Sequence, residues 1–243
     1  MTAHKPGDPT TLNRLYGRAR GKPLRAGQQA LVDQLLPRIA VPEQGPVTAE
    51  RLFGQDCPLH FEIGFGGGEH LAARADMLPD HGFIGCEPFV NGVAQALVHL
   101  SGGAEGMKGG AHPPIGNVRV HHGDALEVLS RVPDGALSFL YLLHPDPWPK
   151  ARHAKRRMMN DGPVDLIAAK MKPGGEFRVA TDDPTYLDWL LMIMQRHTGQ
   201  FEWVNTKPGE WLEYPSGWPE TRYAAKARRQ GRVPHQFRYR RLG

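Results

Sequence analysis

The sequence predicts an α/β protein built on a doubly wound, mostly parallel sheet of seven strands. Short apolar runs of strand length alternate with helix-period segments from about residue 59 to residue 198. The first run ends on the glycine-rich turn Gly64-Phe65-Gly66-Gly67-Gly68 and is followed at once by helical spacing. A repeated strand-helix-strand order requires crossover connections, and these suit parallel neighbours.

Each element has its own signal. Leu59-His60-Phe61-Glu62-Ile63 is the first strand, and Glu69 to Leu78 form the helix after the glycines. Phe83 to Glu87 are the second strand, followed by a helix over Pro88 to Leu100 with proline in its first turn. The connection Ser101 to Gly116 holds few large apolar side chains and predicts a mobile surface loop. Val118 to His121 are strand three, Ala125 to Arg131 a helix, and Ala136 to Leu143 the apolar fourth strand. Gly162 to Met171 predict a helix stopped by Lys172-Pro173-Gly174-Gly175, with Glu176 to Thr181 as strand five. Asp182-Asp183-Pro184 cap a helix that runs to about Thr198. Phe201 to Asn205 and Gln236 to Arg241 complete the strands. Residues 1–45 mix Pro, Gly, Arg and polar groups with weak periodicity and predict a basic arm that is flexible until it docks, leaving 46–243 as one domain.

A chain of 243 residues, 40% of them hydrophobic, can bury one full core, which excludes a disordered protein. Cys57 and Cys86 have no paired spacing and no histidine cluster around them, so neither a disulfide framework nor a metal site is expected. No apolar run approaches the roughly 20 residues of a membrane span, so the expectation is a cytoplasmic protein with no membrane partner, as monomer or homodimer. Charge is segregated: residues 1–25, 150–157 and 222–241 hold 19 of the 30 bases and one of the 25 acids. A mildly acidic body thus carries three basic segments, a distribution suited to a polyanion bound in a salt-dependent way.

Doubly wound sheets bind ligands at the carboxyl ends of their strands, and the chemistry-bearing residues fall there. Gly64 and Gly66 let the backbone turn sharply beside a ligand. A dinucleotide fingerprint needs glycine or alanine three residues after the second glycine, but that position is Glu69, a carboxylate where pyrophosphate would sit. A cationic, phosphate-free ligand fits better, and S-adenosylmethionine has a sulfonium, a ribose diol and an adenine. Glu62 lies in strand one, Glu87 ends strand two where it can accept from a ribose diol, and Asp124 follows strand three near an adenine amino group. Strand four delivers Pro145-Asp146-Pro147-Trp148, an acid stiffened by two prolines, with Lys150, Arg152, Lys155, Arg156 and Arg157 behind it as expected phosphate contacts. That stretch also reads as a strand end followed by a solvated basic helix.

Phe61 to Gly66, Gly85-Cys86-Glu87, the long motif from His144 through Trp148 to Arg157, Thr181-Asp182 and Thr221-Arg222-Tyr223 closely resemble the bacterial tRNA (guanine-N7) methyltransferases. The resemblance runs from about Arg51 to the C-terminus. It implies a Rossmann-like fold of S-adenosylmethionine-dependent enzymes and methylation of guanine-46 in the tRNA variable loop. It implies that Glu62, Glu87, Asp124 and Asp146 bind the cofactor and that Asp146 is the catalytic acid. It further implies that Lys150, Asp182, Thr221, Arg222, Tyr223 and Ala224 bind tRNA. The family closes its last motif with glutamate, whereas this chain has Ala224, so one substrate-facing carboxylate is missing. Two rival readings are an adenine N6 methyltransferase, whose motif places the acid before two prolines, and an RNA-binding protein without catalysis.

Overall fold

The structure, a computed structural model, describes residues 21–102, 116–205, 207–216 and 218–243. Seven strands form one sheet in the order β3-β2-β1-β4-β5-β7-β6. They span Leu59–Ile63 (β1), Gly82–Cys86 (β2), Val118–His121 (β3), Leu137–Leu143 (β4), Met171–Thr181 (β5), Phe201–Trp203 (β6) and His235–Arg241 (β7). The neighbours from β3 to β5 pair in parallel, and β7 runs antiparallel to both β5 and β6. The chain leaves β1 first toward β2 and later returns to β4 on its other side, so strand order reverses between β1 and β4. All five residues of β1 are buried, as expected of a central strand covered by helices on both faces.

The helices are α1 (Ala26–Gln34), α2 (Leu36–Ile39), α3 (Ala49–Phe53), α4 (Glu69–Met77), α5 (Val90–Leu100), α6 (Ala125–Ser130), α7 (Asp161–Lys170), α8 (Pro184–Arg196) and α9 (Arg222–Arg229). One apolar cluster, with Val93 and Leu97 of α5 and Leu71 of α4, covers one face of the sheet. The other, with Leu129 of α6, Ile167 of α7 and Leu190 of α8, covers the opposite face.

Three sequence expectations change. The segment 26–45, read as part of a flexible arm, forms α1 and α2 and then runs beside β3: Ala40 bridges Val120, and Leu35, Ile39 and Val41 are buried. Residues 1–20 and 103–115 lie outside the described residues, and with them most of the expected arm and of the glycine-rich loop. Helix α7 stops at Lys170, because Met171 already pairs with Leu137; Lys172 to Gly175 bulge out of β5 before Glu176 rejoins the ladder opposite Phe139. Strand β6 ends at Trp203, two residues early.

Helix α4 begins one residue after Gly68, and the close approach of α5 fixes that residue. Gly68 has φ +77°, and a Cβ there would stand 2.4 Å from the Ala96 Cβ and 2.9 Å from its Cα. Gly68→Ala should therefore cost about 2–4 kcal/mol, from the left-handed backbone and from overpacking. Urea denaturation checks this, and an unchanged midpoint would mean that α5 yields freely.

Candidate active site

The reversal point brings the ends of β1, β2 and β4 together. Past β4 the chain turns sharply: His144 has φ +53° and Trp148 φ +43°, the only non-glycine residues at positive φ among those described. Such backbone costs on the order of 1–3 kcal/mol per residue and persists only where its surroundings impose it. The His144 N–H donates to the Ala180 carbonyl at 2.8 Å, and His144 Nδ1 lies 3.1 Å from Asp182 Oδ1. Burial holds the His144 imidazole below its ordinary pKa against the opposing pull of Asp182, which leaves a neutral ring whose Nδ1–H donates to that carboxylate. The other Asp182 oxygen pairs with Arg232 at 3.1 Å. Both oxygens of Asp182, an expected tRNA-binding residue, are thus engaged within the protein, one of them holding the turn.

Asp146 stands at the exposed crest of this turn between Pro145 and Pro147. Partial desolvation raises its carboxyl above the usual range. The basic run behind it forms a short 3-10 helix, Ala151–Arg156. Lys150, Arg152 and Lys155 are exposed, and the Arg156 guanidinium lies 5.0 Å from the Trp148 ring centre. Arg157, expected among the phosphate contacts, is turned inward and only 5% exposed.

The acids of the neighbouring strands converge on the glycine turn. Glu87 accepts from the N–H of Gly66 at 2.8 Å and of Phe89 at 2.9 Å, tying the turn to the end of β2. Burial raises its carboxyl, those two N–H donors oppose the rise, and the nearby charges of Asp146 and Glu62 add to it. Glu62 is buried and accepts from His70 Nδ1 of α4 at 2.8 Å. Asp124 caps α6 by accepting from the Leu126 N–H at 2.9 Å, and burial raises its carboxyl. Gly64 and Gly66 sit at φ +68° and +58°, and among the described residues a Cβ on Gly64 would meet nothing within 4 Å. Mutually repelling carboxylates around a bare glycine cradle suit a ligand that carries positive charge and hydroxyl donors.

Thr221 to Ala224 lie closer to this cradle than the sequence reading implied. Thr221 caps α9, its Oγ1 accepting from the Ala224 N–H at 3.1 Å. The Arg222 Nε donates to Glu69 at 2.8 Å, and its guanidinium covers Gly67; the Tyr223 ring covers Gly66, 2.8 Å from where a Cβ would stand. The cleft between Gly64, Phe65, His144, Thr221 and Tyr223 consequently holds only about 10 Å³. Ala224, an expected tRNA-binding residue, is fully buried with its N–H engaged by Thr221. Its neighbours Arg222, Lys226, Arg228 and Arg229 point outward from α9 and continue the basic surface.

Residues 56–237 match a protein family described as "Putative methyltransferase". A tRNA (guanine-N(7)-)-methyltransferase of Sphingopyxis alaskensis is 74% identical over 99% of this chain and 100% of its own length. The chain belongs to the bacterial tRNA (guanine-N7) methyltransferase family. It is thus an enzyme, a methyltransferase of that family, and other relatives share its full length. The tRNA (guanine-N(7)-)-methyltransferase of Novosphingobium aromaticivorans is 70% identical over 99% of this chain and 100% of that protein. The Zymomonas mobilis one is 53% identical over the whole of both chains. Among solved structures, the 16S rRNA methyltransferase KamB superposes with a TM-score of 0.52 at 14% identity, over 82% of this chain and 95% of that one. That likeness establishes the Rossmann-like methyltransferase fold and no more. Within the tRNA (guanine-N7) methyltransferase fold, sequence reasoning missed three partners: Arg157 under the Pro-Asp-Pro-Trp turn, His70 beneath Glu62, and the Arg222–Glu69 pair. A like-charge run does not mark which member turns inward, and only the apolar Met158-Met159 after Arg157 hinted at it.

Proposed function

We propose that this enzyme transfers the methyl group of S-adenosylmethionine to N7 of guanine-46 in the variable loop of tRNA, giving 7-methylguanosine. The observation that carries the reading is the convergence of a proline-framed acid, Asp146, with the carboxylate-lined glycine cradle on one side and exposed cations on the other. Glu87 would hold the ribose diol, Asp124 the adenine edge, and Glu62 with Gly64 and Gly66 the methionine end. The cofactor supplies an electrophilic methyl on a sulfonium. A ligand of that size needs several hundred cubic ångströms, so Tyr223 must leave Gly66 to admit it.

Guanine N7 has an in-plane lone pair at the base edge, so no proton has to be removed before attack. The demand on the protein is alignment, and fixed geometry alone is worth about 7–11 kcal/mol in well-oriented cases. Asp146 stabilises the positive charge that moves onto the purine and orients the base. Lys150, Arg152 and Lys155, with the outer face of α9, hold tRNA phosphates. A tRNA substrate implies a cytoplasmic site of action; among the described residues no helix is long and apolar enough to cross a membrane.

Incubation with labelled S-adenosylmethionine and unmodified tRNA, then digestion to nucleosides to identify the base and mapping of the labelled nucleotide to find its position, tests the reading. Label in 7-methylguanosine at position 46 is the expected result. Label in N6-methyladenosine would favour the adenine reading, and tRNA binding with no transfer would favour a silent RNA-binding protein.

A further inference from the structure

Arg157 is the last of the five cations that follow Trp148, yet it does not share their solvent. It is 5% exposed, its guanidinium lies 4.6 Å from the centre of the Trp189 ring on α8, and its fork reaches under the active-site turn. Nε donates to the Pro147 carbonyl at 3.0 Å and Nη2 to the Trp148 carbonyl at 3.1 Å. Both acceptors belong to the turn that carries Asp146. Burying a guanidinium is costly, and one held by neutral carbonyls and an aromatic face gains less than an ion pair would return. Such an arrangement is more economically met by a neutral side chain unless the fork itself is needed.

The turn explains the need. Pro145 and Pro147 have no N–H, so they cannot fasten this segment by donating to the rest of the protein. The segment is flanked by the two left-handed residues, His144 and Trp148. On the β4 side it is fastened through His144 to Ala180 and Asp182; on the far side the fork of Arg157 is the matching hold. Arg157 is in turn fixed from behind. Its carbonyl accepts from Asn160 Nδ2 at 2.6 Å, and two residues on the Met159 N–H donates to Tyr186 Oη of α8 at 3.2 Å. A continuous path of contacts thus leads from the buried face of α8 to the crest of the turn.

We propose that Arg157 is a positioning residue: its two parallel hydrogen bonds set the height and orientation of the Pro145–Trp148 turn and thereby of Asp146. The proposal rests on Asp146 being the acid of the reaction proposed above. A lysine keeps the charge but has a single point donor, so it cannot reproduce the fork.

Arg157→Lys, assayed at saturating tRNA and S-adenosylmethionine and normalised to sites that bind cofactor, is expected to lower kcat on the order of tenfold to a hundredfold, since small misplacements carry effects of that size. The KM for tRNA and the salt dependence of tRNA binding should stay at wild-type values. Arg157→Ala should lose more turnover and regain part of it when guanidinium is added at millimolar concentration, a response that a purely structural role does not give. Wild-type kcat in Arg157→Lys would overturn the proposal. So would a raised KM for tRNA with a shallower salt slope, which marks a phosphate contact, or loss of cofactor binding in Arg157→Lys, which marks a residue of the fold. Failure of the wild-type enzyme to methylate tRNA would instead remove the functional reading on which the proposal rests.

Discussion

Replacing Asp146 with asparagine is expected to lower kcat by about 10² to 10³ in an enzyme that remains folded. The substitution keeps the shape of the side chain and removes only the charge, so the Pro-Asp-Pro-Trp turn and its anchors, His144 and Arg157, should be undisturbed. What is lost is the negative field at the place where the purine becomes cationic. Because guanine N7 needs no deprotonation, the loss should not be recovered by raising the pH, as it would be if Asp146 served chiefly as a base. Single-turnover methylation across pH 6 to 9 measures this. Turnover within threefold of wild type would remove Asp146 from the reaction, and recovery at high pH would make it a general base.

Glu87→Gln should weaken S-adenosylmethionine binding by about ten- to a hundredfold, the worth of roughly 1.5–3 kcal/mol for hydrogen bonds to a charged group. Glu87 also fastens Gly66 and Phe89, and the amide of glutamine turns a donor toward one of those N–H groups. Two pH effects accompany it. The native Glu87 carboxyl lies above its ordinary 4.5, so affinity for a ligand that needs the carboxylate should fall as pH drops through that raised value. For folding the sign is opposite. Between 4.5 and the raised value the native state binds more protons than the unfolded chain, so stability falls as pH rises through that window. Calorimetric titration and urea unfolding at stepped pH read both. Equal pH slopes in wild type and Glu87→Gln would mean that other carboxyls carry them.

The parallel half of the fold was legible because each of its strands is an apolar run followed by a turn of glycine or acid, and β1, Gly64 to Gly68 and α4 fall as expected. The antiparallel half was less so. Nothing local in Phe201–Trp203 or His235–Arg241 says that the later strand lies inside the earlier one. Helices α1 and α2 were missed because their periodicity is weak: no residue of α1 is buried, Leu31 and Val32 only partly so where they pack on the α4–α5 cluster, and the buried anchors Leu35, Ile39 and Val41 come after it. In the site, the placing of the acids at strand ends was readable from position. The contacts of Arg157 and Asp182 were not, because a charged side chain in sequence does not show whether it faces a ligand or holds the backbone that does.

The insertion of β7 between β5 and β6 also governs the order of assembly. Among the described residues strand β6 has no other neighbour in the sheet, and β5 keeps one open edge until β7 arrives from beyond α9. During synthesis the parallel strands can close on one another as they emerge, but the β5 edge and the short strand with Trp203 must wait for the last of these segments. For that interval the nascent chain presents an unpaired ladder edge beside exposed aromatic surface, the combination that invites misassociation.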